Sequence, residues 1–306
     1  MTKRAVFAVL LVATVQAACA QQEQGFATPE AAVEALAQAA EANDQAKLDE
    51  LFGPDYGSFR QAQQADPALA ELRFRQFTTR LREFHALVPE GDDAYRLVVG
   101  SYAWPFSIPI VRVGKVWRFD GAAGVEELRN RMVGANELNA IAVLDAIASA
   151  EREYALADHD GDGVLEYAMR VLSTPGQQDG LYWEVDAEDP DASLPAPLDL
   201  LKTVADAVLG ERAAGSPFLG YYFRMLYSQG PNAPAGAYEY RINGHMVAGF
   251  ALIAWPAQYG ETGVMTFILN QDHVVYERDL GADTAAIVGS ISSFDPGEGW
   301  TPVDDE

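Results

Sequence analysis

The sequence predicts an α+β fold in two domains, and two patterns support this prediction. Apolar residues at helical spacing come first in each half of the chain, and short runs of β-type residues follow them. The composition agrees, because 49% of the 306 residues are hydrophobic and 22% are charged, as in ordinary globular proteins. We therefore expect N-terminal helices on a curled antiparallel sheet, followed by a long helix packed on a C-terminal antiparallel meander.

The first twenty residues have the pattern of a signal peptide. Lys3 and Arg4 precede an apolar run, residues 5–13, which is too short to span a bilayer. Ala18-Cys19-Ala20 then fits the small-x-small rule of signal peptidase, with cleavage before Gln21. This pattern predicts a periplasmic or extracellular protein.

A lipoprotein is the alternative to soluble export. Cleavage before Cys19 would leave a cysteine to carry the lipid, although Gln16 stands where lipoprotein signals usually have an aliphatic residue. No later stretch reaches the ~18 apolar residues of a membrane-spanning helix. The sequence therefore predicts no transmembrane segment.

Three helices are predicted at the start of the first domain, residues 21–125. The first begins at Thr28-Pro29-Glu30, where the threonine caps the helix and the proline occupies its first turn. Asp44 begins the second helix, which ends at Gly53-Pro54, and the third runs from Pro67 to about Phe84. The residues expected on the buried faces of these helices are Val33, Leu36, Ala37, Ala40, Leu48, Leu51, Phe52, Leu69, Leu72, Phe77, Leu81 and Phe84.

Extended segments complete the first domain. The predicted strands are Tyr95–Tyr102, Phe106–Val113 and Val116–Phe119, and the last two are joined by the Gly114-Lys115 turn. The switch from β-type residues to a new helical pattern places the domain boundary between Gly121 and Gly134.

The second domain, residues 126–306, begins with a long helix over Asn136–Ala157. An Asp/Gly turn and an irregular stretch, residues 176–197, separate it from a helix over Leu198–Leu209. The β-type runs that close the chain are Tyr221–Leu226, Tyr238–Ile242, Gly249–Trp255, Val264–Leu269 and Val274–Asp279. Their short connections predict an antiparallel meander.

One motif has definite chemistry, the run from Asp158 to Glu166. In an EF-hand-like loop, carboxylates at positions one, three and five and a backbone carbonyl at seven bind Ca²⁺, and a glycine at six allows the turn. The residues that fit as metal ligands are Asp158, Asp160 and Asp162 by their carboxylates, Val164 by its carbonyl and Glu166 at position nine. The motif therefore predicts a calcium site.

The loop departs from the pattern at position twelve, where Met169 replaces a bidentate glutamate. A thioether is a poor ligand for a hard cation. Three alternatives remain: Glu166 closes a shorter loop, a distant carboxylate does so, or the affinity is low. A solvated acidic turn without metal is the competing interpretation, because Asp-Gly pairs form turns on their own.

Charge excludes some classes of partner. The chain has 21 Lys and Arg against 45 Asp and Glu, a net charge of −24, so it is a poor ligand for nucleic acid. Aromatic residues beside loops, Tyr182, Trp183, Trp255 and Tyr259, would suit a sugar ring or a peptide if they are exposed. The partner classes left open are an envelope component and a glycan.

The search for catalytic motifs gives no enzyme class. The four histidines lie on separate segments without metal-binding spacing, and neither Gly-x-Ser-x-Gly nor a phosphate-binding glycine motif occurs. The single cysteine, Cys19, excludes a disulfide framework.

The sequence resembles two known families. The run from Phe26 to Val33, with Leu51-Phe52-Gly53-Pro54-Asp55, resembles the opening of nuclear-transport-factor-like cone domains. A longer resemblance, over residues 26–303, is to an exported bacterial family known as domain of unknown function 2950. The segments that carry it are Trp104–Pro109, Gly114–Asp120, Asn136–Ile141, Asp158–Tyr167, Ser173–Gly176, Asp179–Trp183, Gly249–Pro256 and Gly263–Phe267. This family resemblance implies export and supplies no catalytic residues.

The predicted second domain, a long helix on a small sheet with an Asp/Gly loop, loosely resembles the heads of pilin-like secreted proteins. From all of these patterns we expect an exported, non-enzymatic binding or envelope-associated module with a calcium-stabilised loop. The alternatives are an enzyme that uses a pocket in the cone-like domain, and an accessory partner of pilus or secretion machinery.

Overall fold

The computed structural model describes residues 25–62, 67–183 and 217–303. These residues form two compact units, which divide between Glu127 and Leu128. The predicted signal segment 1–20 and the predicted helix Leu198–Leu209 lie outside the described residues. Among the helices that the structure does describe, none combines the length and the apolar character needed to cross a bilayer.

Four helices open the first unit: α1 (Pro29–Glu41), α2 (Gln45–Phe52), α3 (Pro54–Ala62) and α4 (Pro67–Glu83). The predicted caps are confirmed, because the Thr28 hydroxyl accepts the N–H of Ala31 at 3.2 Å and the Asp44 carboxylate accepts the N–H of Lys47 at 3.0 Å. Helix α3 was not predicted. Pro54 does not end the helical region but begins a new helix, where its missing N–H costs nothing.

The first unit contains one antiparallel sheet. Its strands are β1 (His85–Pro89), β2 (Ala94–Val99), β3 (Trp104–Pro105), β4 (Ile110–Val113) and β5 (Val116–Phe119), in the order β1-β2-β4-β5 with β3 also on β2. The Gly114-Lys115 hairpin is confirmed, because Val113 pairs with Val116. Strand β1 was not predicted, and the expected strand Phe106–Val113 is shorter, because a bend at Ser107 and Ile108 interrupts it.

The core of the first unit lies between the helices and this sheet. Phe52 packs on Phe106 and Phe119, with ring centroids 5.9 and 5.2 Å apart, and Phe77 stacks on Phe106 at 5.2 Å. Two residues expected in this core, Leu72 and Phe84, are instead 43% and 47% exposed. Phe74, Phe77 and Leu81 make the buried face of α4, because they follow one another at three and four residues.

Helix α5 (Gly121–Tyr154) has 34 residues and runs through the division between the units. The prediction of its start at Asn136 was wrong, because the helix begins at Gly121 and the Asp120 carboxylate caps it by accepting the N–H of Ala123 at 3.1 Å. Glycines at three positions before residue 136 lower the intrinsic helix propensity of this stretch, so its helical pattern was missed.

The second unit has one five-stranded antiparallel sheet and several short strands. The strands are β6 (Tyr221–Leu226), β7 (Ser228–Gln229), β8 (Tyr238–Glu239), β9 (Arg241–Ile242), β10 (His245–Met246), β11 (Ala251–Pro256), β12 (Met265–Asn270), β13 (Tyr276–Asp279) and β14 (Thr301–Pro302). The main sheet has the order β14-β13-β12-β11-β6, and a short helix, α6 (Thr284–Ser290), follows β13. The predicted strand Tyr238–Ile242 is divided between two small sheets, β7-β8 and β10-β9.

Helix α5 packs on this meander as predicted. Val143, Leu144 and Ile147 are at most 1% exposed and belong to one core with the apolar residues of β11 and β12. The Glu137 carboxylate also accepts the N–H groups of Val264 and Met265, at 2.8 and 3.0 Å. The fold of the described residues is α+β.

Candidate metal centre

The Asp158–Glu166 loop follows directly after α5 and is organised by its own carboxylates. Asp158 accepts the N–H of Gly161 at 2.7 Å and, with its other oxygen, the N–H of Gly163 at 2.8 Å. Both glycines have left-handed backbone angles, φ +79° and +86°, which other residues rarely adopt. The two Asp-Gly pairs therefore fix the turn.

Three carboxylates converge on this turn. The side chains of Asp158, Asp160 and Asp162 are exposed, and one oxygen from each lies within 4.8 Å of the others. Hydrogen bonds from the N–H of Gly163, and then from that of Gly161, lower the pKa of Asp158, because they stabilise its ionised form. The turn thus holds three carboxylates, hard-oxygen groups of the kind that Ca²⁺ prefers.

The other two predicted ligands are placed differently. Val164 donates its N–H to Asp162 Oδ1 at 2.7 Å, and only its carbonyl is left as a ligand. Glu166 lies outside the cluster: its Oε2 accepts the N–H of Met246 at 2.8 Å, and its Oε1 is 3.5 Å from His245 Nδ1. His245 Nδ1 is also 3.4 Å from Asp162 Oδ2. The structure therefore brings three of the five predicted ligands together by their side chains and ties Glu166 to β10.

A cleft of about 510 Å³ lies beside the loop. Its wall includes two tyrosines, one histidine and three carboxylates: Tyr154, Tyr167, His159, Asp160, Glu166 and Asp179. The Tyr154 ring stacks on the His159 ring with centroids 4.0 Å apart. The centroids of the His159 and Trp183 rings are 5.4 Å apart. Trp183 itself is only 7% exposed, so this aromatic residue, expected as a platform for a ligand, is part of the core.

Glu151 is a buried carboxyl group that the sequence analysis missed. It is 0% exposed, its Oε2 accepts the N–H of Ala168 at 2.8 Å, and its Oε1 has no partner among the described residues. Burial raises its pKa well above the ordinary value, because the charged form loses its hydration. A signal was present: Glu151 follows Ile147 by four residues and precedes Tyr154 by three, on the buried face of α5.

The remaining histidines do not join the loop. His85 Nδ1 lies 2.9 Å from the Leu81 carbonyl in the first unit, and His273 Nδ1 lies 3.1 Å from Asp145 Oδ1. Within the described part of the chain, the three aspartates are the one group of three or more His, Cys, Asp or Glu side chains close enough to share a metal ion.

Comparison with known proteins places the chain in a family. Neither the curated proteins nor the solved structures contain a match. The resemblances of the first domain to cone domains and of the second to pilin-like heads therefore stay predictions. The model of one family, described as protein of unknown function (DUF2950), matches residues 23–303. Because this match covers nearly all of the sequence, the chain belongs to the DUF2950 family.

Proposed function

We propose that this DUF2950 protein is an exported, non-enzymatic binding module whose Asp158–Glu166 loop binds calcium. The observation that carries the proposal is the convergence of the Asp158, Asp160 and Asp162 carboxylates within 4.8 Å on one exposed turn. Three like charges this close repel one another, and a divalent cation relieves that repulsion.

The proposed ligands are the three aspartates, the carbonyl of Val164 and, through water or after a rotation, Glu166. The hydrogen bond from Met246 to Glu166 Oε2 would have to lengthen or break for that carboxylate to ligate directly. Because position twelve has Met169 instead of glutamate, we expect affinity in the weak range of ~10⁻⁴–10⁻³ M, as in extracellular modules.

Export is supported by the sequence. The basic residues Lys3 and Arg4, the apolar run 5–13 and the Ala18-Cys19-Ala20 site have the order of a signal peptide. We propose a periplasmic or extracellular location, with a lipid anchor on Cys19 as the alternative. The free calcium concentration outside the cytoplasm suits a weak site.

The packing of the first unit supports a non-enzymatic role. An enzyme built on this domain would need an open pocket lined by Asp, His or Tyr between the helices and the sheet. The aromatic rings of Phe52, Phe77, Phe106 and Phe119 pack against one another in that position. The alternative of a pilus or secretion partner rests on the loose resemblance alone.

Two melting curves test the calcium site. With calcium at about ten times its dissociation constant, linkage stabilises the folded state by about 1.4 kcal/mol. For a unit of this size that free energy raises the melting temperature by about 3–6 °C relative to chelator. The assay is thermal unfolding in calcium, in magnesium and in EDTA, and calcium is expected to give the largest rise.

Asp160→Ala should abolish the response to calcium, since it removes one ligand and leaves both glycines to form the turn. Asp283→Ala is the matched control, because Asp283 is an exposed aspartate of the same unit whose side chain makes no capping hydrogen bond. Equal melting temperatures of the wild type in calcium and in EDTA would show that the loop is a solvated turn.

A further inference from the structure

The cleft beside the Asp158–Glu166 loop has a volume in the range of small-ligand sites. We propose that it binds a small organic cation, an ammonium or guanidinium group on an apolar stem. This site adjoins the proposed calcium site and shares Asp160, Val164 and Glu166 with it.

Charge is the first argument. Asp160, Glu166 and Asp179 line the cleft, and none of the described residues that line it is Lys or Arg. Arg170 Nε approaches Asp179 at 3.4 Å from outside the lining and offsets one of these charges. Three carboxylates therefore line the cleft against one neighbouring guanidinium. Asp158 and Asp162 on the same loop add negative charge, so the local potential favours a cation over a neutral or anionic ligand.

The environment of Tyr154 agrees with this potential. Burial raises the pKa of its hydroxyl, and the nearby carboxylates of Glu166 and Asp179 raise it further. The hydroxyl donates to the Gln178 carbonyl at 2.5 Å, so it remains a neutral donor at the edge of the cleft.

Shape and aromatic character are the second argument. A volume of about 510 Å³ lies in the range of small-molecule sites. The half-buried rings of His159 and Tyr167 and the side chains of Val164 and Met169 supply the apolar part of the wall. Beside these carboxylates, the Tyr167 ring would attract a bound ammonium or guanidinium group through cation–π attraction.

Bound calcium should weaken the binding of the organic cation, and the bound organic cation should weaken the binding of calcium. A calcium ion on Asp158, Asp160 and Asp162 removes most of the negative charge on the loop side of the cleft. By linkage, each ligand then lowers the affinity of the chain for the other by the same factor.

The test is calorimetric titration of the full mature chain with agmatine, which has one ammonium and one guanidinium group on a four-carbon stem. It is done in EDTA at about 0.15 M salt, where diffuse attraction between distant charges is screened. We expect saturable binding of one agmatine per chain, and weaker binding when calcium is added. n-Butanol and N-acetylglucosamine are the neutral probes, and neither should bind.

Asp179→Asn should weaken agmatine binding about five-fold, as expected for the loss of one partly exposed charge contact. Asparagine keeps an oxygen for the Thr174 N–H, which Asp179 accepts at 2.7 Å, so the local fold is retained. Asp160→Asn, which removes another charge from the lining, is the second variant. Asp283→Asn is the matched control, since it removes the same charge away from the cleft.

The outcomes separate the two proposals. Agmatine binding without any calcium response would overturn the calcium site and leave the cleft proposal standing. A calcium response without saturable agmatine binding overturns the cleft proposal. So does a loss of agmatine affinity in Asp283→Asn equal to that in Asp179→Asn, because the attraction is then a property of the whole acidic chain. Binding of N-acetylglucosamine without binding of agmatine overturns the proposal of a cation and indicates that the cleft binds a glycan.

Discussion

Replacing Glu151 with glutamine should change how the stability of the protein depends on pH. Glu151 is fully buried in the second unit, and burial raises the pKa of its carboxyl group well above the ordinary value near 4.5. Glutamine is nearly the same size, can accept the N–H of Ala168 through its amide oxygen, and does not titrate. The substitution therefore removes the titration and retains the packing.

The magnitude follows from linkage. Below the pKa that Glu151 has in the unfolded chain, its carboxyl group is protonated in both the folded and the unfolded state. The contribution of this proton to the free energy of unfolding is then fully present. Above that pKa, the unfolded chain releases the proton and the folded protein keeps it, so the free energy of unfolding falls by about 1.4 kcal/mol per pH unit. This loss continues until the pH passes the folded-state pKa of Glu151. In the glutamine variant, the free energy of unfolding lacks this dependence on pH.

The assay is urea unfolding followed by tryptophan fluorescence from pH 4 to pH 8, in EDTA so that calcium does not contribute. The stability of Glu151→Gln relative to the wild type should rise by about 1.4 kcal/mol per pH unit above the unfolded-state pKa and then level off. Glu153→Gln is the matched control, because Glu153 lies two residues along the same helix and is exposed. The free energy of unfolding of Glu153→Gln, plotted against pH, should run parallel to that of the wild type.

Parallel curves for Glu151→Gln and the wild type would refute the reasoning. They would mean that Glu151 titrates alike in the folded and unfolded states and is therefore hydrated in the folded protein.

Two further predictions use matched pairs in helix α5. Gly121→Ala should destabilise the protein by more than about 3 kcal/mol, because the new Cβ would lie 1.7 Å from the Phe52 carbonyl oxygen. Gly134→Ala should instead stabilise it by about 1 kcal/mol, because nothing lies within 4 Å of a Cβ at that position. Urea unfolding measures the free energy of unfolding of both variants. A change of the same sign in the two would contradict the close approach of Gly121 to Phe52 and the open space around Gly134. Leu144→Ala should cost about 2–5 kcal/mol because Leu144 is 0% exposed, and Leu138→Ala, at 71% exposed, should stay within about 0.5 kcal/mol. Equal losses in this second pair, from the same assay, would show that α5 does not bury the face assigned to it.

Local chemistry made several elements predictable from the sequence. Thr28 and Asp44 are capping residues immediately before apolar helical patterns, and both cap in the structure. Gly114 supplies the left-handed angle, φ +62°, of the hairpin between β4 and β5. The alternation of Asp and Gly from Asp158 to Gly163 likewise predicted the turn on which the aspartates converge. In each case neighbours within a few residues decide the backbone, so no distant contact is needed.

The sequence by itself therefore determined the fold class and the acidic loop, because capping, helical spacing and turn residues act over short distances. Its resemblance to a family was carried by particular segments along the chain. Only the tertiary structure decided which charged groups lose water and which gain partners. Glu151 is buried and Glu166 is bound to Met246, 80 residues away, because α5, the loop and β10 come together. The cleft beside the loop arises from the same packing. Burial and pairing of this kind are set by the free energy of the whole unit, in which hydrophobic contacts of the neighbouring elements outweigh the local preference of one carboxylate for water.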